Sequence, residues 1–229
     1  MVRKTLIAGN WKMNGLIADG AALAKGVGAE FKKTGRRDVE VLVCPPFTLL
    51  TSAKKALKGT RVALGAQDCH FAKSGAHTGD ISPVMLKDAG CQYVIVGHSE
   101  RRTNHGESNE LICQKAAAAI DAGLKVIICI GETEAERDAG HTIDVCTKQI
   151  MGSVPQTATD KNTVIAYEPV WAIGTGKTPT TQDVEDVHAA VRKVLSKKCG
   201  RAIANKIRIL YGGSMKPTNA KDLLALPDV

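Results

Sequence analysis

Short runs of mostly apolar residues, rich in Val and Ile, recur seven times along the chain, with room for a helix after each. Several runs are apolar at both odd and even positions, as strands covered on both faces must be. The predicted strands span residues 5–8, 39–43, 62–65, 93–96, 125–129, 163–167 and 207–211. Because a strand that returns parallel to its neighbour needs a crossover helix, this pattern predicts a parallel α/β fold.

Between these runs the apolar positions change to helical spacing. Residues 110–120 show one such pattern, and residues 181–195 show another, with Thr180 or Thr181 placed to cap it. No linker-like stretch interrupts the alternation of strands and helices. We therefore predict a single domain over residues 1–229.

Polar residues directly follow one predicted strand after another, and their distribution discriminates between two parallel α/β folds. A doubly wound sheet gathers its chemistry at one switch point, whereas a (β/α)8 barrel collects residues from many strand ends in one pocket. The polar segments after the first, third, fourth, sixth and seventh strands contain Asn10, Lys12, Gln67, His98, Ser99, Glu100, Glu168, Gly212, Gly213 and Ser214. This distribution favours the barrel.

The predicted barrel has seven strands, and the sequence ends at Val229, where an eighth strand would begin. Without that strand, the first and seventh strands would keep unpaired hydrogen-bonding edges. We therefore expect residues 1–229 to lack the eighth strand–helix unit of the natural protein, so that the domain is incomplete at its C-terminus. An unusual open barrel is the alternative.

Composition narrows the class of protein. Hydrophobic residues make up 44% of the chain and charged residues 24%, as in ordinary globular proteins. We expect a cytoplasmic protein, because no apolar run approaches the length of a membrane helix and no signal peptide is present.

The seven cysteines are widely spaced, which disfavours a zinc ribbon or a disulfide framework. The net charge of +8 suits a polyanion, a phosphorylated metabolite or no particular partner, and aromatic residues at 3% disfavour single-stranded nucleic acid.

A glycine-rich segment containing Gly174 lies between Pro169 and Pro179. It is similar to the end of a phosphate-binding P-loop, but Trp171 stands where that motif needs a glycine. It does not fit a dinucleotide fingerprint either, because Pro179 follows where glycine or alanine is required. The prolines restrict the backbone at both ends of the segment, and the glycines leave its middle flexible. This composition is typical of a hinged lid, with a plain loop as the alternative.

Three strand ends carry candidate chemistry. Glu168 follows a nearly apolar strand and precedes the glycine-rich segment, so its carboxylate is either salt-bridged or a general base shielded from water. His98 is either a structural hydrogen-bonding residue or a catalytic residue that acts together with Glu168. Backbone amides of Gly212, Gly213 and Ser214 follow the seventh strand, where barrels often bind phosphate. The histidines lack the helical pairing beside a carboxylate that is typical of zinc enzymes, so we predict no metal site.

Taken together, these residues resemble the triosephosphate isomerase family, and the similarity runs from end to end of the sequence. The matching motifs, in the family's order, are GNWKMN at 9–14, CPPF at 44–47, AQ at 66–67, GAHTGDIS at 75–82, VGHSERR at 96–102, CIGET at 129–133, AYEPVWAIGTGK at 166–177 and YGGS at 211–214. The resemblance implies a TIM barrel that needs no cofactor. It also implies interconversion of dihydroxyacetone phosphate and D-glyceraldehyde 3-phosphate through an enediolate, in glycolysis and gluconeogenesis.

The same resemblance implies a role for each candidate residue. Glu168 would be the base that moves a proton between adjacent carbons of the triose, and His98 the neutral imidazole that polarises the carbonyl. Lys12 would be the fixed cation that faces the enediolate and the phosphate. The residues implied to bind the substrate are Asn10, Lys12, Gly174 and Ser214.

The resemblance also implies a homodimer, in which the loop from Phe71 to Ser82 projects into the partner subunit with Thr78 near its tip. A surface loop without such a contact is the alternative. Two rival functions are a catalytically idle barrel, either used for binding or assembly or left inactive by truncation, and a basic nucleic-acid binder. The intact candidate residues argue against the first, and the scattered positive charge argues against the second. We expect a phosphorylated triose as the ligand, with no nucleic acid and no membrane as partner.

Overall fold

The computed structural model describes residues 3–172 and 177–229, in which strands and helices alternate as predicted. The strands are β1 (Thr5–Asn10), β2 (Val39–Cys44), β3 (Ala63–Ala66), β4 (Tyr93–Val96), β5 (Lys125–Ile130), β6 (Thr163–Tyr167) and β7 (Arg208–Tyr211). They follow one another in the sheet in chain order. The pairs β1–β2, β2–β3, β3–β4 and β6–β7 are parallel, which confirms the predicted α/β class.

Helices follow each strand in the described part of the chain. They are α1 (Ile17–Lys33), α2 (Leu50–Ala56), α3 (Pro83–Asp88), α4 (Ser99–His105), α5 (Asn109–Asp121), α6 (Glu134–Asp138), α7 (Thr142–Ser153), α8 (Thr181–Cys199), α9 (Arg201–Ala204) and α10 (Ala220–Leu224). Single 3₁₀ turns span Phe47–Leu49 and Val170–Ala172. No helix within the described ranges has both the length and the hydrophobicity that crossing a membrane requires.

The start of α8 shows how a local sequence signal sets an element. The Thr180 hydroxyl accepts a hydrogen bond from the Asp183 backbone N–H at 3.1 Å, and the Asp183 carboxylate accepts one from the Thr180 N–H at 2.9 Å. This reciprocal capping box satisfies donors that the first turn of a helix leaves unpaired. The predicted cap at Thr180 is thereby confirmed, and the helix buries Val184, Val187, Val191 and Val194.

The chain divides into two compact units. The first unit comprises residues 1–96 and 117–126, and its buried core includes Leu42, Leu49 and Tyr93. The second unit comprises residues 97–116 and 127–229. Its buried core includes Ile112, Ile128, Ile165 and Leu195.

His188 is a buried titratable residue of α8. Its Nδ1 lies 3.1 Å from the carbonyl oxygen of Asp228, so Nδ1 carries the proton of the neutral ring. Its Nε2 has no hydrogen-bond partner within residues 3–172 and 177–229. Burial is the main cause that lowers the pKa of His188 to about 4; Asp228 opposes the shift and Arg192 adds to it. The folded protein therefore keeps this ring neutral at physiological pH.

We expect this histidine to make the protein sensitive to mild acid. Between pH 6.5 and about 4 the unfolded chain binds a proton that the folded chain does not, so stability falls as pH drops through this window. The free energy of unfolding should decrease by about 3 kcal/mol across it on account of this residue. Urea unfolding at a series of pH values would show a flatter dependence for His188→Gln. His141→Gln, on an exposed ring, is the control, and equal slopes for His188→Gln and wild type would contradict the prediction.

Candidate active site

Glu168 directly follows β6 and is only 5% exposed. Its backbone N–H donates to the Ile130 carbonyl at 2.7 Å, which fixes the chain where the strand ends. One carboxylate oxygen accepts a hydrogen bond from the Ser99 backbone N–H at 3.0 Å, and the other lies 3.1 Å from Nε2 of His98. Both oxygens of a buried carboxylate thus have polar partners, as burial of a charge requires.

His98 follows β4 at the N-terminus of α4 and is 7% exposed. Its Nδ1 accepts a hydrogen bond from the Glu100 backbone N–H at 3.2 Å. Because this nitrogen acts as the acceptor, the proton of the neutral ring lies on Nε2, which donates to the Glu168 carboxylate. The structure therefore places an imidazole N–H donor and a carboxylate side by side, and such a pair is suited to proton transfer.

Two glycines allow the neighbouring strand ends to approach Glu168. A Cβ atom on Gly212 would lie 2.7 Å from Cγ of Glu168 and 3.1 Å from the carbonyl oxygen of Tyr167. A Cβ atom on Gly131 would collide with the backbone carbonyl of Glu168. Since such distances are below van der Waals contact, any side chain at either position would displace Glu168 or its backbone.

Asn10 and Lys12 lie at the end of β1 in the first unit. The Asn10 side-chain oxygen accepts a hydrogen bond from the Lys12 N–H at 3.0 Å. Lys12 has a left-handed backbone with φ of 53°, and it is the only residue other than glycine with positive φ in the described part of the chain. Gln67 holds this unusual turn, because its amide nitrogen donates to the carbonyl oxygens of Lys12 and Cys44, each at 2.8 Å.

Ser214 and Gly174 are the remaining candidates from the sequence. Ser214 is exposed beyond β7, and its carbonyl accepts a hydrogen bond from the Asn219 side chain at 3.1 Å. Gly174 lies outside the described residues. The structure thus brings Glu168 and His98 into contact within the second unit, which also contains Ser214, whereas Asn10 and Lys12 belong to the first unit.

A buried carboxylate after β5 was missed by the sequence analysis. Glu132 is fully buried, and one of its oxygens accepts hydrogen bonds from the Tyr167 hydroxyl at 3.1 Å and from Nε1 of Trp171 at 2.9 Å. The Arg137 guanidinium lies 3.6 Å from the same oxygen and stacks over the Trp171 ring at 4.5 Å. Burial, followed by the Glu132 charge, raises the pKa of Tyr167. This network anchors Trp171, and the rule of polar residues after strands would have identified Glu132.

One cluster in the described residues has the residue types of a metal site, formed by His70, His77 and Asp80. Nδ1 of His70 accepts a hydrogen bond from the Ala72 N–H at 2.9 Å, so its Nε2 carries the proton of the neutral ring. Nε2 lies 3.8 Å from the Asp80 carboxylate. A metal needs an unprotonated nitrogen, and metal-bound histidines use the other nitrogen as a donor. His70 is therefore poorly set to act as a ligand.

Comparisons with known proteins identify the family that the chain resembles. Residues 5–229 match the family model described as triosephosphate isomerase. The triosephosphate isomerases of Afipia carboxidovorans and Rhodopseudomonas palustris are 54% and 55% identical to this chain, and each alignment covers 99% of the chain and 89% of the relative. A crystal structure of triosephosphate isomerase from Bartonella henselae, 45% identical, matches with a TM-score of 0.90 and covers 99% of this chain and 90% of that one. The predicted TIM-barrel fold is thereby confirmed.

Proposed function

Since this chain belongs to the triosephosphate isomerase family, we propose that Glu168 and His98 are its proton-transferring pair. The enzyme interconverts dihydroxyacetone phosphate and D-glyceraldehyde 3-phosphate, a step of glycolysis and gluconeogenesis. The observation that carries the proposal is the buried Glu168 carboxylate, with one oxygen 3.1 Å from Nε2 of His98. We place this activity in the cytoplasm.

Glu168 is the base in the proposed reaction. A proton next to a carbonyl is very weakly acidic, so it leaves only if a positioned base accepts it while the carbonyl oxygen is stabilised. Glu168 takes the proton from one carbon and returns it to the neighbouring carbon. His98 turns its Nε2–H from the carboxylate to the substrate carbonyl, and then passes protons between the two oxygens of the enediolate. This division of labour is the one that the family's chemistry implies.

Negative charge on the enediolate and the phosphate requires further donors. We assign the ammonium group of Lys12 to this charge, with Asn10 as its orienting neighbour. The hydrogen bonds from Gln67 support this role, because they fix the backbone that carries Lys12. The amides of Ser214 and Gly174 are assigned to the phosphate. Charge that is already in place before the reaction is usually the largest contribution to such catalysis.

The glycine-rich segment after Trp171 is assigned to the lid. The anchor formed by Glu132 and Arg137 supports this proposal, since it fixes Trp171 at the point where the segment begins. A closed lid would exclude water from the enediolate. An enediolate exposed to water can eliminate its phosphate group instead of completing the isomerisation.

Isomerisation can be followed directly by proton NMR. Purified protein incubated in D2O with dihydroxyacetone phosphate should form glyceraldehyde 3-phosphate and exchange one carbon-bound proton for deuterium. All the proposed groups belong to side chains or backbone, so activity should survive dialysis against EDTA. A folded protein without turnover would instead support the idle barrel.

We propose a homodimer formed through the loop from Phe71 to Ser82. A hydrogen bond of 2.8 Å from the His70 N–H to the Ile81 carbonyl closes the base of this loop, and the rings of His70 and Phe71 stack at 4.3 Å. Large apolar side chains are exposed elsewhere in the same unit. They include Met13 at 95%, Leu16 at 75%, Ile17 at 65% and Met85 at 55%. A second copy of the chain that covered these side chains would remove their apolar surface from water.

The dimer predicts that Thr78→Arg weakens self-association. Thr78 is exposed in the isolated chain, so the larger charged side chain fits there, whereas in the interface it would be buried without a partner. We expect an association constant lower by at least about tenfold, equivalent to about 1.4 kcal/mol. Sedimentation equilibrium would measure it, with Thr157→Arg as an exposed control in the second unit. A wild-type mass of 24.2 kDa at all concentrations would refute the dimer.

A further inference from the structure

We propose that Arg102 is a positioning residue that sets the distance between the two members of the proton-transferring pair. The inference rests on the proposed function and deepens it. Arg102 lies on α4, and we assign it no contact with the substrate. It acts through the backbone at the ends of β4 and β5.

The first backbone contact controls His98. Nε of Arg102 donates to the carbonyl oxygen of Gly97 at 2.9 Å. Gly97 directly precedes His98, and it turns the chain with φ of 67°, a left-handed conformation that glycine adopts readily. Holding this carbonyl therefore fixes the peptide from which the imidazole projects.

The second backbone contact controls Glu168. Nη2 of Arg102 donates to the carbonyl oxygen of Cys129 at 3.0 Å. The next residue, Ile130, accepts the hydrogen bond from the Glu168 N–H at 2.7 Å. One planar guanidinium thus connects the backbone that carries the imidazole to the backbone that supports the carboxylate.

The guanidinium is itself held in place. Nη1 donates to the Asn109 side-chain oxygen at 2.7 Å, and Nη2 also lies 3.3 Å from the hydroxyl of Ser153, which is fully buried. The Ser153 hydroxyl in turn donates to the Asn109 oxygen at 3.1 Å. Burial is the main cause that lowers the pKa of Arg102, and electrostatic interactions with Cys129, Glu168 and Glu107 oppose it.

The acceptors of these four bonds are all neutral. Removing a cation from water onto neutral acceptors is a poor way to stabilise a fold, since none of these four acceptors carries an opposite charge that would offset the loss of hydration. The arrangement is well suited to fixing orientation, because a guanidinium presents several donors in one rigid plane. A displacement of about 1 Å between reacting groups can reduce a rate by about 10²-fold, so this orientation bears directly on turnover.

Arg102→Lys tests the role, because lysine keeps the charge and loses the planar fork. We expect kcat to fall by about 10- to 100-fold and KM to change by less than about threefold, since binding of the phosphate is not altered. Arg101→Lys is the matched control on the same helix, where the side chain pairs with Glu107 at 2.8 Å. Its kcat should stay within about twofold of wild type.

A double-mutant cycle separates positioning from a purely structural role. Glu168→Asp withdraws the carboxylate, so the geometry that Arg102 maintains is already lost in that background. Adding Arg102→Lys to Glu168→Asp should then lower kcat by less than about threefold. The same fold-loss in both backgrounds would overturn the proposal, because a smaller folded fraction acts equally on any variant. Wild-type kcat in Arg102→Lys would also overturn it.

A second variant covers the case in which Arg102→Lys does not fold. Asn109→Ala leaves Arg102 in the chain but removes an acceptor that orients its plane. We expect a smaller loss of kcat, about 3- to 10-fold, with the same dependence on Glu168; an unchanged kcat would contradict the proposal. Absence of turnover in the wild-type enzyme would refute the proposed function and this inference with it. If wild-type turnover is normal, any one of these three contrary results refutes only the positioning role of Arg102.

Discussion

Replacing Glu168 by glutamine should lower kcat for triose phosphate isomerisation by at least about 10³-fold, since the variant keeps the shape of the side chain and loses the base. The amide oxygen can still accept the hydrogen bond from the Ser99 N–H, so the strand end should keep its structure. Substrate binding should change little, because the proposed phosphate and ammonium contacts remain. The coupled isomerisation assay measures the rate, and deuterium uptake in D2O measures proton abstraction separately.

Glu30→Gln provides the control for this experiment. Glu30 is an exposed carboxylate of α1 that pairs with Lys33 at 2.6 Å, so the same chemical change occurs at the surface. Its kcat should equal that of the wild type. If Glu168→Gln retained more than about a tenth of wild-type kcat, Glu168 would not be the base.

Substituting alanine for Gly212 should lower kcat by about 10²-fold, although residue 212 itself takes no part in the proton transfer. The added Cβ would lie 2.7 Å from Cγ of Glu168, so the Glu168 side chain must shift from its present position. It would also lie 3.1 Å from the Tyr167 carbonyl, which prevents residue 212 from simply shifting aside. Single-turnover kinetics would assign the loss to the chemical step.

Gly26→Ala is the corresponding control. A Cβ atom on Gly26 of α1 would meet nothing within 4 Å, so alanine there should leave kcat unchanged. It should also stabilise the helix by up to about 1 kcal/mol, since alanine is the better helix former. Wild-type kcat in a folded Gly212→Ala variant would show that the close approach has no catalytic consequence.

Sequence patterns located the strands well, because apolar runs report burial directly. The predicted strands at 93–96 and 163–167 coincide with β4 and β6. The predictions for β1 and β2 stopped short of Asn10 and Cys44, which pair with each other in the ladder. Backbone pairing continues past the last apolar side chain, and a pattern of side chains does not register it.

The sequence could suggest residue types for the candidate site but not the contacts between them. Glu168 and His98 were singled out because each follows a buried strand, and their roles were implied only by the resemblance to the family. The bond from the Ser99 N–H to Glu168 joins positions that are 69 residues apart, and only the packing of strand ends creates it. The proton position on His98 depends likewise on a bond with Glu100 that the folded turn supplies. Arg102 was read only as part of a motif, since its role lies in which carbonyls it reaches.

The left-handed turn at Lys12 implies that thermal stability and catalytic activity favour different residues at this position. In this left-handed conformation a residue with a Cβ destabilises the folded state by about 1 kcal/mol relative to glycine. The folded protein is therefore less stable with lysine at position 12 than it would be with glycine. Under the proposed mechanism, the ammonium that this backbone presents is indispensable. Directed evolution screened only for tolerance of high temperature would therefore drift toward glycine at residue 12 and discard the catalyst, whereas a screen for turnover would keep lysine.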